Sequence, residues 1–431
     1  MVLRLSSAAA RLILVFGALI LSTALAYSSI RNALAAHYFG RQTRSGYERA
    51  VQLEPGNAEN WFLLGRYWQY NLTEPDTSSA VRAYRTSLVL DPRSAYAWMD
   101  LATAYESQDD LSAAREAFVQ AQRAYPASAE VSWRYGNFLL RQGQLPAAFA
   151  EIRHSVSVDP QRAAEAFSRC WRVDPDIQAI LDQVLPPSAA VYLATIRELD
   201  ADAAIDPALA VWDRLVSIRP QLTLASAIPF TDSLIQAHRI DDARRVWDQA
   251  VGRSESPPPV DLPGSVLWDG GFETGVAGGG FAWNFAPPAR GVQAIYDSNE
   301  KHSGQRSLRL VFDGSRNVDF SDVCHVVEVR PGTSYRFSSW VRVQNLTTDQ
   351  GIRFRLEWVE NAHSASTETT EVHGTQPWTE LSLPWTAVAG VRQLRACITR
   401  HPSDDFGSRI HGTGWVDDVA LVPVSSLGPQ P

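Results

Sequence analysis

The sequence predicts a multidomain α-then-β chain, an α-helical repeat solenoid followed by an antiparallel β-sandwich, and three observations carry that expectation. Prolines recur at helical-repeat spacing: Pro92 follows Pro55 by 37 positions, Pro126 follows Pro92 by 34, and Pro160 follows Pro126 by 34. Beyond residue 265 the apolar pattern changes to alternation, as in Ile352-Arg353-Phe354-Arg355-Leu356-Glu357-Trp358. Between the two lies the stretch 252–264, with three successive prolines among Gly, Ser and Glu, through which a helix cannot propagate.

Composition bounds the reading. The chain has 431 residues, 45% hydrophobic and 20% charged, an ordinary globular balance for about three domains of roughly 150 residues each. With 39 Lys plus Arg against 47 Asp plus Glu, the net charge is -8, which speaks against a dedicated nucleic-acid binder, because counterion release needs a basic surface. The three cysteines contain no CxxC pair, so zinc ribbons and thioredoxin-like chemistry are excluded. Fourteen tryptophans against two methionines ask for a packing or binding reason, since each indole is large and carries an N–H that needs a partner.

The first element is a short leader, residues 1–11, with Arg4 and Arg11, followed by an uncharged apolar run from Leu12 that extends to about residue 30. That length lies between a signal-peptide core and a spanning helix. Ala24-Leu25-Ala26 offers a small-x-small cleavage site, whereas Ile30, Ala33, Leu34 and Ala35 continue the helical pattern past it. The expectation is a single-pass bacterial inner-membrane anchor with residues after about 40 in the periplasm; the alternative is secretion after cleavage near Ala26.

The second element, residues 31–251, is the repeat array. In the unit closed by Pro126, Trp98, Leu101, Ala102 and Tyr105 mark one helix face, and Ala114, Phe118 and Ala121 mark the next. Trp61, Leu64, Gly65, Trp68, Ala80, Tyr84 and Ser87 form the preceding unit. Tyr135, Gly136, Leu139, Ala148, Ile152 and Ser155 form the following one, with Trp133 one place off register. Tyr47 and Ala50 supply half a repeat upstream, and after a degenerate stretch (161–205) the pattern returns around Trp212 and Trp247. These landmarks resemble tetratricopeptide proteins over roughly half the chain. The resemblance implies protein partners on a concave face, where Arg66, Tyr70, Arg134, Asn137 and Arg141 are expected to line a groove for an acidic or C-terminal peptide. The other reading of these five is a solvated polar face. The family's carboxylate clamp, with paired Lys and Asn, does not match here.

The third element, residues 265–425 before a short tail (426–431), reads as a jelly roll of two sheets. WDGGFETG (Trp268, Gly271, Phe272, Glu273), HSGQRSLRLVF, VEVRPGTSYRFSSWVRV, QPWTELSL and WVDDVAL follow one another in the order of jelly-roll carbohydrate-binding modules, which the segment resembles. That resemblance implies a structural calcium ion held by Glu273, a carbonyl near Ser303–Gly304, and Asp417 or Asp418; two carboxylates plus carbonyls make a hard-ligand set. Alternatively, these acids bond turn amides.

Strand alternation puts Arg336, Trp340 and Arg342 outward, and likewise Arg353, Arg355 and Glu357. If the two strands share a sheet, Trp340 stands among these charges as a sugar platform, a domain interface or a solvated face. Trp283, Trp358, Trp378 and Trp415 are expected to pack. Cys324 and Cys397 fall in the outward set and are candidates for a cross-strand disulfide in an oxidising compartment; Cys170 reads as a buried thiol. No nucleophile elbow, HExxH or phosphate loop is present, and Glu357 with Glu360 make only a weak glycosidase pair. The expectation is a non-enzymatic scaffold, anchored in the membrane, which binds proteins through its repeats and glycan through its jelly roll, in exopolysaccharide or envelope biogenesis. A sugar-blind adaptor is the alternative, a glycoside hydrolase the remote one.

Overall fold

The computed structural model describes residues 8–73, 75–254, 259, 262–275, 278–287, 290–360 and 363–424. Most of the leader, much of the proline-rich stretch and the tail at 426–431 lie outside the described residues. Among those described, the helices are α1 (Ala8–Phe39), α2 (Arg44–Leu53), α3 (Ala58–Tyr70), α4 (Thr77–Leu90), α5 (Ala95–Glu106), α6 (Leu111–Ala124), α7 (Ala129–Arg141), α8 (Leu145–Val158), α9 (Ala163–Val173), α10 (Ile177–Gln183), α11 (Ala189–Ala201), α12 (Ile205–Ser217), α13 (Leu224–Gln236) and α14 (Ile240–Val251). The strands are β1 (Trp283–Phe285), β2 (Val292–Asp297), β3 (Ser307–Asp313), β4 (Phe320–Glu328), β5 (Ser334–Leu346), β6 (Arg353–Glu360), β7 (His363–Glu368), β8 (Gly374–Thr386), β9 (Gln393–Arg400) and β10 (His411–Pro423). They fall into two compact units, residues 1–186 and 187–431.

In the first unit the repeat landmarks act as staples. The Trp61 indole donates to the Pro55 carbonyl at 2.9 Å, and Trp98 donates to Pro92 at the same distance, so each tryptophan ties the start of a first helix to the proline turn before it. Ser87 on α4 donates to the Ala58 carbonyl and Ser155 on α8 to Ala129, both at 2.8 Å, fastening second helices to the N-termini of their partners. Small residues recur where the pair crosses: a Cβ on Gly65 would stand 2.6 Å from the Tyr84 ring, and one on Gly136 2.7 Å from Ile152. The half-repeat that begins at Tyr47 is completed by α1, against which α2 packs.

The second unit joins α11–α14 to the sandwich. Trp247 on α14 is fully buried and meets Trp268 edge-to-face at 5.3 Å and Phe281 at 6.1 Å. Gly280, at φ +62, passes so close that a Cβ there would lie 2.8 Å from the Trp247 ring, a backbone position suited to glycine on both counts. Its N–H donates to Asp232 at 2.6 Å, and Arg392 on the loop before β9 forms a two-toothed ion pair with Asp241 of α14. The proline-rich stretch therefore ends α14 without marking the division between compact units, which falls at Pro186–Pro187. The physical reason is apolar: Trp247, Trp268 and Phe281 bury one another.

The sandwich comprises two five-stranded antiparallel sheets, ordered β1-β4-β9-β6-β7 and β2-β3-β10-β5-β8. Inward residues of every long strand, among them Leu308, Leu310, Phe337, Val341, Phe354, Leu356, Ile398 and Val416, make one core. One consequence overturns an expectation. β5 pairs with β8 and β10, whereas β6 pairs with β7 and β9, so Trp340, Arg336 and Arg342 lie on a different sheet from Arg353, Arg355 and Glu357. Alternation reports which way a side chain faces but carries no information about sheet membership, and the chain crosses between sheets at 347–352.

Candidate functional site

The inner-helix residues expected to line the repeat groove are all engaged with neighbours. Asp100 on α5 is buried and accepts from Arg134 at 2.9 Å, with Arg66 at 3.5 Å on its other side. Burial raises the Asp100 carboxyl above its ordinary range, against the pull of Arg134 and Arg66. Tyr70 lies beside this group, its hydroxyl also raised by burial and then by the Asp100 charge. Arg134 continues to Glu130 (2.7 Å), and Glu130 to Arg162 (2.8 Å). Asn137 accepts from Arg169 at 2.8 Å, and Arg141 clasps Glu106 through two bonds of 2.7 and 2.9 Å. Arg66, Tyr70 and Arg134 thus gather around one carboxylate, while Asn137 and Arg141 belong to separate pairs. With Asp159 on Arg162 and Glu165 on Arg169, the face is a ladder of paired charges rather than a bare cationic groove. Asp100, Glu106, Glu130, Arg162 and Arg169 went unnoticed in the sequence, although Asp100 stands one 34-residue repeat from Arg134.

Trp133 explains its own misregister. Its place one step past the tryptophan position turns it away from the staple, to lie under Arg162 and Arg169 at 5.4 and 5.1 Å from their guanidinium carbons. Ser132 takes the staple position and bonds His154 at 2.8 Å.

On the sandwich, the outer face of β2-β3-β10-β5-β8 carries the aromatic cluster. His302, from the β2–β3 connection, lies flat on Trp340 with ring centroids 4.0 Å apart, and Trp378 on β8 meets His302 at 5.6 Å and 64°. Arg342 pairs with Glu300 at 2.6 Å above Trp415, whose indole donates to Asp297 at 2.9 Å. Arg336 pairs with Glu380 at 2.9 Å. Trp378, expected to pack, belongs to this corner with His302. Trp358 packs against the core beside Trp385, at 5.5 Å, as its inward phase implies.

On the side of Arg353, Arg355 and Glu357 the neighbouring ring is Trp358, which lines a cavity with Arg355, Glu357 and Arg395 while packing against the core. Glu357 is held between Arg355 (2.7 Å) and Arg395 (3.0 Å), and Arg353 lies near Glu368 and Glu371. Two guanidiniums bracketing one carboxylate fix its position and leave Glu360, at the end of β6, without a role beside it. Cys324 and Cys397 stand directly opposite on β4 and β9 and are joined by a disulfide next to Arg355; Cys170 is a buried free thiol, its pKa pushed up to about 12 by burial.

The three acids named for calcium separate into two groups. Glu273 Oε1 accepts from the Gln305 amide at 2.7 Å, and Asp417 accepts from the amides of His302, Ser303 and Asp418 at 2.8 to 3.1 Å. Glu273 Oε1 and Asp417 Oδ1 both lie 3.8 Å from where a Cβ on Gly271 would stand. Asp417 is fully buried, and burial with the neighbouring Asp418 charge pushes its carboxyl up to about 7. These two carboxylates both lie beside Gly271 and both are engaged by turn amides. Asp418 does not join them, because its oxygens are taken by His302 Nδ1 (2.6 Å) and the Ser303 hydroxyl (2.7 Å). Among the described residues no cluster of three or more His, Cys, Asp or Glu forms a metal site.

Residues 76–126 and 100–161 match the tetratricopeptide repeat family model. Residues 76–161 are therefore built of tetratricopeptide repeats, and the two five-stranded sheets form a C-terminal jelly-roll-like sandwich. No curated protein matches the chain in sequence. Among solved structures it is similar to the N-terminal endo-1,4-beta-D-xylanase 10B modules of Clostridium thermocellum complexed with xylohexaose, at 16% identity and TM-score 0.26, covering 33% of this chain and 26% of that one. It therefore spans about a quarter of that structure's length. The C-terminal family 22 carbohydrate-binding module of the same xylanase is 13% identical, with TM-score 0.28, covering 39% of this chain and 99% of that one. MamA is 17% identical, with TM-score 0.29, covering 44% and 91%.

Proposed function

We propose that this protein is an exported, membrane-anchored accessory factor that holds protein partners along its repeats and a glycan on the outer face of β2-β3-β10-β5-β8, in the making or export of an envelope or extracellular polysaccharide. The observation that carries the glycan reading is the aromatic corner of His302, Trp340 and Trp378, flanked by Arg336–Glu380 and Arg342–Glu300. Rings offer a flat apolar surface to the C–H face of a pyranose, and nearby guanidinium and carboxylate groups bond its hydroxyls. The Arg353, Arg355 and Glu357 cluster is set aside as a sugar platform because the ring beside it, Trp358, packs against the core and Trp385. A calcium ion between Glu273 and Asp417 would brace the first segment of the sandwich against β10 and set the His302 turn.

The test is affinity electrophoresis of the full chain in detergent through gels containing acidic and neutral polysaccharides, with Trp378→Ala and Trp340→Ala alongside. Retardation that weakens in both variants supports the reading. Unretarded migration in every polysaccharide favours the sugar-blind adaptor, to which the internal pairing of Arg336, Glu380, Arg342 and Glu300 also points. Polysaccharide cleavage abolished by Glu357→Gln would make the chain a hydrolase instead.

A further inference from the structure

The apolar N-terminal segment and the first repeat helix are one object. α1 runs unbroken from Ala8 to Phe39, and its two halves differ in what they touch. From Leu12 to Tyr27 the large apolar side chains described are exposed, from 55% at Leu14 to 73% at Ile13. From Ser28 a stripe turns inward: Ser28, Arg31, Ala35 and Tyr38 are half-buried or buried at spacings of three and four, one face of a helix.

What they face is α2. Gly46 of α2 lies so close to α1 that a Cβ there would stand 2.5 Å from the Tyr38 carbonyl. Phe39 meets Tyr47 edge-to-face at 5.7 Å, and Tyr47 meets Tyr67 of α3 at the same distance. With its side-chain amide turned to place nitrogen toward the acid, Asn32 donates to Glu54 at 2.6 Å. The α1–α2 turn is closed by Gln42 at φ 51 and by Thr43, which accepts from the Gly46 amide at 3.2 Å.

We infer that α1 is retained in the mature protein and is both the bilayer-spanning helix and the first helix of the repeat array, whose partner on this surface is the lipid bilayer. This rests on the anchored reading above. Residues Leu12–Tyr27 rise about 24 Å as a helix; with Arg11 at one end and Tyr27 under Arg31 at the other (6.0 Å), the span approaches the roughly 30 Å hydrocarbon core with an aromatic and basic residues at its margins. Cleavage near Ala26 would cut α1 two residues before its packed stripe. A peptidase reads extended backbone, so the scissile region would have to unwind a helix pinned at Ser28. The turn after α2, at Glu54, then sits at headgroup level, and the array stands on the membrane with no flexible stalk.

The experiment uses the full chain in freeze–thawed native membranes, with intact mass, labelling by a membrane-impermeant maleimide, and oxidative cross-linking. Expected are the mass of residues 1–431, protection of Leu19→Cys until detergent is added, labelling of Ala36→Cys without it, and a disulfide in the membrane-bound Asn32→Cys/Glu54→Cys double variant. A mature chain beginning at Tyr27 overturns the inference. So does a full-length, membrane-bound chain whose 32/54 pair fails to cross-link, which leaves anchoring intact. A full-length chain found only in the soluble fraction overturns the anchored reading itself.

Discussion

His302 lies face to face on Trp340, ring centroids 4.0 Å apart and planes 12° from parallel, while its Nδ1 bonds Asp418 at 2.6 Å. A single turn residue therefore links the outer aromatic corner to the Asp417–Asp418 pair beneath it. If a sugar rests on this corner, His302→Ala should bare the Trp340 face yet loosen the β2–β3 turn. Retardation in polysaccharide gels is expected to change by several-fold, and Arg355→Ala on the opposite sheet should leave it as it was.

Calcium would act on the same turn from below. Chelator is expected to lower the melting temperature of the full chain, and the drop should vanish in Glu273→Gln. An unchanged melt in chelator would remove the ion from the description and leave Glu273 and Asp417 as turn-amide acceptors.

His325 offers a pH dependence. It is fully buried against Trp283, and its Nε2–H donates to the Trp268 carbonyl at 2.9 Å; burial above all drives its pKa down to about 4. The unfolded chain takes up a proton near pH 6.5 that the folded chain refuses until about 4, so stability is full above 6.5 and is lost as pH falls through that window. The loss is about 2 kcal/mol by pH 5. Melts at pH 7 and 5 should show it for the wild type, and His325→Gln should flatten this part of the slope.

Removing the disulfide should be costly. Cys324 and Cys397 close a separation of 73 residues, for which the chain-entropy description gives about 4 kcal/mol. Cys324→Ala/Cys397→Ala is expected to lower the denaturation midpoint, and reductant should do the same to the wild type and nothing to the variant.

In the repeats, Gly65→Ala should destabilise by about 1–3 kcal/mol, since its new Cβ meets the Tyr84 ring and a packed crossing yields only by displacement. Ala102→Gly, at the equivalent place one repeat on, should cost about 1 kcal/mol through helix propensity and about 1 kcal/mol more through loss of a fully buried methyl. Urea midpoints measure both.

Both architectures were legible because each rests on a local period: prolines and small residues every 34 to 37 positions, then strict alternation. The staples from Trp61 and Trp98 are those same landmarks seen as hydrogen bonds. The Trp340 site was legible only in part. That Trp340 faces outward follows from its neighbours, but its companions His302 and Trp378 come from a turn and a strand whose proximity is set by sheet order, which no local pattern encodes. Arg353, Arg355 and Glu357 looked like companions for the same reason. The inner-face ladder is hidden differently: its pairs join positions one repeat apart, such as Asp100 and Arg134, and no pattern within a single helix shows them.

The burial of Trp247 against Trp268 and Phe281 also bears on how such a chain is assembled over evolutionary time. A recombination point in the proline-rich stretch would hand a new host a sandwich with an uncovered indole and phenyl surface, prone to aggregation. A break near Pro187 would instead keep that surface covered, with α11–α14 accompanying the jelly roll.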